Sequence, residues 1–254
     1  MGWLASPWHA RMLRSMEVAW RAMASGSEDA RLIERNGVLA AIAPRVAERS
    51  VFNSVLYRTP DDLAAARDDL AAEYDAAGVN AWTVWVPESD RASAELLSGS
   101  RHRLDATPRA MVLDLAELAD HEPGDLDWTA EGSLAEVHRI NDAAYGYEAG
   151  TFARGIGNPA PGTWRVYEAR IDGRAASVLA TTDHDGDCGI WWVATLPEAR
   201  GRGLSSRLLR VALDEARERS VRTSTLQATK LGRPVYERIG YHDIGELQMW
   251  ELRR

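Results

Sequence analysis

Apolar and polar positions group the chain into short units that recur in the same order. From Arg31 to Ala43, two apolar runs flank Asn36-Gly37, a dipeptide that favours a tight turn between antiparallel strands. From Val166 to Ala180, Asp172-Gly173 stands in the same setting, 136 residues later. Each predicted hairpin leads to a further strand, SVFNSVLYR from Ser50 and CGIWWVAT from Cys188. A helix follows in each case, over 60–77 and 202–217, and then a strand, NAWTVWV from Asn80 or VRTSTLQAT from Val221. Each half is expected to close with a short helix and a pair of strands, ending near Leu115 and Leu252. An amphipathic helix carrying Trp8, Met12, Met16 and Trp20 at helical spacing precedes the first hairpin.

The repeated order predicts an α/β protein, a mixed sheet flanked by helices, built as two tandem related domains. The expected boundaries are 1–118 and 129–254. The joining stretch ADHEPGDLDW, residues 119–128, is acidic, contains Pro123 and Gly124, and reads as a linker.

Composition narrows the partners. The 254 residues carry a formal charge of −8, with 45% hydrophobic and 27% charged positions and no basic stripe. Nucleic acid is therefore not an expected partner. The single cysteine, Cys188, permits no intrachain disulfide, fits a reducing compartment and reads as a buried apolar residue. No apolar run reaches the length of a membrane span. Gly2 and Ser6 fit a loose myristoylation pattern, but the amphipathic helix accounts better for this stretch. Lys230 is the only lysine among 30 basic residues, a bias that points to genome composition and a bacterial, cytoplasmic source. A monomer or homodimer without metal is expected.

Against this acidic background, Arg200-Gly201-Arg202-Gly203 stands between the strand ending near Thr195 and the helix carrying Leu204, Leu208, Val211 and Ala212 on one face. A helix start presents unpaired N–H groups and the positive end of the macrodipole. Glycines allow close backbone approach, and Arg200, Arg202, Ser205 and Ser206 add donors, so the pattern predicts a phosphate-binding turn. The matching helix of the first half opens RTPDDLAAARDDL, where Thr59 caps, Pro60 follows, and Asp61 and Asp62 repel an anion. Only the second half is expected to bind the anionic ligand; the first is a scaffold or a wall of the substrate site. A Walker loop needs Gly-Lys-Ser/Thr, which is absent, and a dinucleotide fingerprint would want a third glycine where Ser206 stands.

These residues resemble the GNAT superfamily of acetyl-CoA-dependent N-acetyltransferases. Thr195-Leu196-Pro197-Glu198-Ala199 followed by Arg200-Gly201-Arg202-Gly203-Leu204-Ser205 is similar to its Val-x-Pro…Arg/Gln-x-x-Gly-x-Gly/Ala signature, with Thr195 for valine and Ser205 for the last small residue. TKLGRPVYERIGY resembles its second signature, with Tyr236, Gly240 and Tyr241 in place, Thr229 at the asparagine position and Gly232 at the alanine position. The resemblance implies that Arg200–Ser205 hold the pyrophosphate of coenzyme A, with Thr229 also on the cofactor. It implies that backbone N–H groups of Val193, Ala194 and Thr195 polarise the thioester carbonyl, and that Tyr236 protonates the leaving thiolate. The amine of a small molecule or peptide would attack directly. The strand positions where such enzymes place a base are Trp191 and Val193, neither of which accepts a proton. Asp187, His184 or Glu148 would have to serve through water, with Trp191 and Glu148 on the substrate side.

Overall fold

The computed structural model describes residue 3 and residues 6–254; Gly2, and with it the myristoylation pattern, lies outside the described residues. Ser6 is extended, and its Oγ accepts from the His9 N–H (3.1 Å), starting α1 (Pro7–Ser25) with proline in its first turn. Met12 and Met16 along α1 are fully buried. β1 (Arg31–Arg35) and β2 (Val38–Ile42) pair around Asn36 and Gly37, whose φ angles of 42° and 81° give the predicted tight turn. The first half continues through β3 (Ser54–Tyr57), α2 (Pro60–Ala76), β4 (Ala81–Pro87), α3 (Arg91–Ser98), β5 (Arg103–Ala106) and β6 (Arg109–Asp114). The second comprises β7 (Trp128–Thr129), α4 (Leu134–Tyr145), α5 (Thr151–Ile156), β8 (Arg165–Ile171), β9 (Arg174–His184) and β10 (Asp187–Thr195). It ends with α6 (Leu204–Glu218), β11 (Thr223–Ala228), α7 (Arg233–Ile239) and β12 (His242–Arg253). No helix among the described residues is long and apolar enough to cross a membrane.

Among the described residues the strands form one sheet, in the order β1-β2-β3-β4-β12-β6-β11-β10-β9-β8-β7, with β5 also on β12. The halves exchange their last strands. β12 lies antiparallel to β4 of the first half, from Leu247↔Pro87 to Arg253↔Ala81. β6 lies antiparallel to β11 of the second half, from Thr223↔Asp114 to Ala228↔Arg109. The closing strand pair expected in each half is therefore absent: β5 and β6 follow one another along the single long β12. Arginines of α6 hold the expected linker down. Arg207 donates to Pro123 O (2.6 Å) and Asp125 (2.6 Å), Arg217 donates to Leu118 O (3.2 Å), and Leu118 and Leu126 are buried.

Helices α6 and α7 join one apolar cluster with β8–β11, while α4 packs on β9 and β10 within a second cluster that runs into the first half. α1 spans both halves, touching β1 and β2 as well as β9–β11. A Cβ at Gly189 would stand 2.3 Å from Ser15 Oγ, so this glycine is what lets α1 close on β10.

Candidate active site

β10 and β11 run parallel and pair only at Asp187↔Thr223, Cys188↔Ser224 and Gly189↔Thr225. Beyond Gly189 they part, although β10 continues to Thr195 and β11 to Ala228. The register of β10 against β9 shifts between Trp191 and Ala194, and Trp192 inside this bulge has φ of 52°. A large side chain in the left-handed region is strained and needs neighbours that hold it there. Asn141 of α4, fully buried, does so: its Nδ2 donates to Trp192 O (3.2 Å) and Val137 O (2.9 Å). Further along, the Leu196 N–H donates to Ala176 O (2.9 Å), and Ala194 O accepts from Ser177 Oγ (3.0 Å). Strand alternation then turns the Thr195 N–H toward the open side of β10, with Val193 within the bulge.

At the end of the parted strand the glycine loop is bare. Gly201 and Gly203 have φ of 77° and 71°, and a Cβ at Gly201 would meet nothing within 4 Å. Gly203 is the N-cap of α6, no side chain caps the helix, and its first turn has no acidic residue. Leu204 is buried as its apolar anchor, Arg202 is exposed, and Ser205 is partly exposed. Arg200 donates to Ala144 O (2.9 Å), tying the loop to α4, and Ser206 Oγ donates back to Gly203 O (2.9 Å). α2 is the opposite case. Thr59 Oγ1 accepts from the Asp62 N–H (3.3 Å), and Asp62 Oδ2 accepts from the Thr59 N–H (3.0 Å), a closed capping box. The donors free at α6 are consumed at α2.

The parted strands open on a cavity of about 640 Å³ lined by both halves. Trp20, Trp85 and Phe52 face it from the first half, and Trp191, Trp192 and Thr229 from the second. Trp20 stands edge-on to Trp85 and Trp191, at 6.1 Å from each, and Trp191 Nε1 donates to Thr182 Oγ1 (3.0 Å). Thr229 Oγ1 accepts from the Gly232 N–H (3.2 Å) at the start of α7.

Of the other predicted residues, Tyr236 stands next to the lining residue Tyr145, and Asp187, His184 and Glu148 are not in the lining. Tyr236 lies outside the cavity lining, on α7, its ring edge-on to Tyr241 at 6.0 Å. Burial pushes its hydroxyl well up, with the Tyr145 hydroxyl adding to the rise. Asp187 and His184 sit at the closed end of the strand pair, about 20 Å from Val193 at the usual rise per residue. Asp187 is fully buried, accepts from Thr223 (2.6 Å) and Thr225 (2.7 Å), and is raised by burial. Glu148 is exposed in the α4–α5 loop, next in the chain to the lining residue Tyr147 but not in the lining itself. The charged side chains that do line the cavity include Arg49, Asp105 and Lys230. The one lysine of the chain carried a compositional signal; Arg49 and Asp105 carried none, because they reach the site through the exchanged arrangement of the halves.

Parallel strands that part over a cavity, beside an uncapped glycine-started helix, make up the candidate site of this α/β fold. Residues 129–244 match the family model described as "Acetyltransferase (GNAT) domain". By this match, residues 129–244 form a GNAT acetyltransferase domain. Its fold is similar to that of a GCN5-related N-acetyltransferase from Kribbella flavida, at 18% identity and a TM-score of 0.68 over 95% of this chain and 94% of that one. It is also similar to a tandem GNAT protein from the clavulanic acid biosynthesis pathway (14% identity, TM-score 0.59, covering 94% and 95%). A third, from Sphaerobacter thermophilus, has 16% identity and a TM-score of 0.58 over 86% and 81%. The likeness of fold thus extends over both halves. No curated protein matches the chain.

Proposed function

We propose that this protein is an acetyl-CoA-dependent N-acetyltransferase, in which the amine of a small molecule or peptide attacks the thioester directly. The observation that carries the reading is the opening of β10 from β11 onto the cavity, with the bare start of α6 following the end of β10. Free amides and no acidic neighbour in the first turn suit a pyrophosphate, and the gap between the strands suits an extended arm. Acetyl-CoA supplies an acetyl group activated toward amines. The N–H groups around Val193–Thr195 donate to the carbonyl oxygen placed in the gap, where negative charge develops. Tyr236, kept protonated by burial, is the proton donor for the leaving sulfur. Trp191 packs against the acceptor; Glu148 has no part in this reading.

Calorimetry tests it. One acetyl-CoA per chain is expected, and at about 100 times the dissociation constant the fold should gain roughly 2.7 kcal/mol of stability. Ser205→Glu puts a carboxylate into the first turn of α6 without backbone strain and should abolish binding while leaving the circular dichroism unchanged. Two sites per chain would refute the vacancy of the first half, and no binding would refute the cofactor. Binding without turnover on a broad amine panel would favour a coenzyme A-binding sensor.

A further inference from the structure

The charges on the cavity wall fall into two groups. Glu251 is bonded to Arg253 at 2.8 and 2.9 Å, and Arg253 also reaches Glu48 at 3.8 Å, so these three charges pair among themselves. Arg49, Asp105 and Lys230 have no ion-pair partner among the described residues, and they face the same cavity. Arg49 is nonetheless held in place: its guanidinium lies over the Tyr147 ring, 4.3 Å from the centroid. Stacking leaves the edge of the guanidinium free to meet a planar anion. Asp105 stands on β5, just past the end of β11, because Arg109 pairs with Ala228 and the chain runs back from there.

Part of the exposed apolar surface reaches the same cavity. Among the described residues the exposed large hydrophobics are Val51, Leu104, Tyr145 and Leu231, from 37% to 89% exposed. Val51 and Tyr145 line the cavity; Leu104 and Leu231 are outside its lining. Exposed Val51 and Tyr145, over an interior lined by Trp20, Trp85, Trp191 and Trp192, suit the apolar body of a ligand.

Resting on the acetyltransferase reading, we propose that the acceptor is an amine that also carries a carboxylate and an apolar body, with Arg49 taking the carboxylate and Asp105 the ammonium. Both selecting groups come from the first half, so that half serves as the acceptor-recognition wall. On transfer, the amine nitrogen bonds to the acetyl carbon as the carbon–sulfur bond breaks. Before attack the bound ammonium gives one proton to solvent, freeing the nitrogen's electron pair. After attack the nitrogen loses a second proton to solvent, while the sulfur takes one from Tyr236, which solvent reprotonates, and leaves as the thiol of coenzyme A.

Release of coenzyme A is measured on matched pairs: tryptophan and tryptamine, phenylalanine and phenethylamine, 6-aminohexanoate and hexylamine, with spermidine as a polycation. The carboxylated member of at least one pair should show the higher kcat/KM. Arg49→Gln should lower that selectivity ratio about 10–100-fold, as expected for one hydrogen bond to a charged group, mainly through KM. Arg49→Lys should restore part of it, a rescue that a merely structural role would not show. Asp105→Asn should lower kcat/KM for both members. Equal rates within every pair, preference for spermidine, or a ratio unmoved by Arg49→Gln would overturn the assignment. One-to-one binding of acetyl-CoA with no panel member acetylated would overturn the acceptor class and leave the cofactor reading standing. Failure to bind acetyl-CoA would remove both.

Discussion

His102 lies 2% exposed with its ring edge-on to Trp82 at 4.7 Å, and its Nε2 has no hydrogen-bond partner. Burial lowers its pKa to about 4, partly offset by the bond to the Ser100 carbonyl. The unfolded chain takes up this proton near pH 6.5 and the folded protein only near 4. The folded state therefore loses stability as pH falls through that window, by about 2–3 kcal/mol at pH 4.5. Urea unfolding at pH 7 and 4.5 should show this drop in the wild type, and His102→Phe should remove that part of it. Burial acts in the other direction at Tyr236, raising a hydroxyl that must keep its proton. Tyr236→Phe should cut kcat by roughly 10²–10⁴-fold with acetyl-CoA affinity nearly intact. A variant that turns over like the wild type would make Tyr236 a packing residue of α7.

Helices α2 and α6 occupy corresponding places in the repeated element order but begin with opposite chemistry, and both beginnings were readable in the chain. Thr59, Pro60 and Asp62 are local signals, and the capping box between Thr59 and Asp62 spans four residues. Gly201 and Gly203 are equally local, since their positive φ angles follow from the absence of Cβ. The hairpins at Asn36-Gly37 and Asp172-Gly173 were legible for the same reason. The bulge at Trp192 was not. Its φ of 52° goes against the preference of the residue and is imposed by Asn141, 51 positions away in sequence. Helix α4, which carries Asn141, was not foreseen either, although Ser133 caps it by accepting from the Glu136 N–H (3.2 Å).

At the scale of the whole molecule, the exchange of β6 and β12 makes each half dependent on the other. A fragment of residues 119–254 would lack β6, leaving β11 with an open edge and β12 without its neighbours on either side. It would also lose α1, which covers Gly189. Such a fragment should be aggregated or without fixed tertiary packing, as near-ultraviolet circular dichroism would show, whereas the full chain should unfold in one transition. A soluble, cooperatively folding fragment would show that the exchanged strands are dispensable. The interdependence extends to the cavity, where Trp20 touches Trp85 of one half and Trp191 of the other.

The hairpins, the turn chemistry and the bare, glycine-led start of α6 were determined by the sequence by itself, because each depends on residues within one or two turns of chain. The tertiary structure alone decided which strand lies beside which. β4 and β11 each present a free edge that an antiparallel apolar strand can fill, and nothing within β6 or β12 specifies its partner. The same decision brought Arg49 and Asp105 to the cavity and left Glu148, Asp187 and His184 out of its lining. Reactive side chains far apart in sequence meet only through the pairing of strands, and that pairing is a property of the folded sheet.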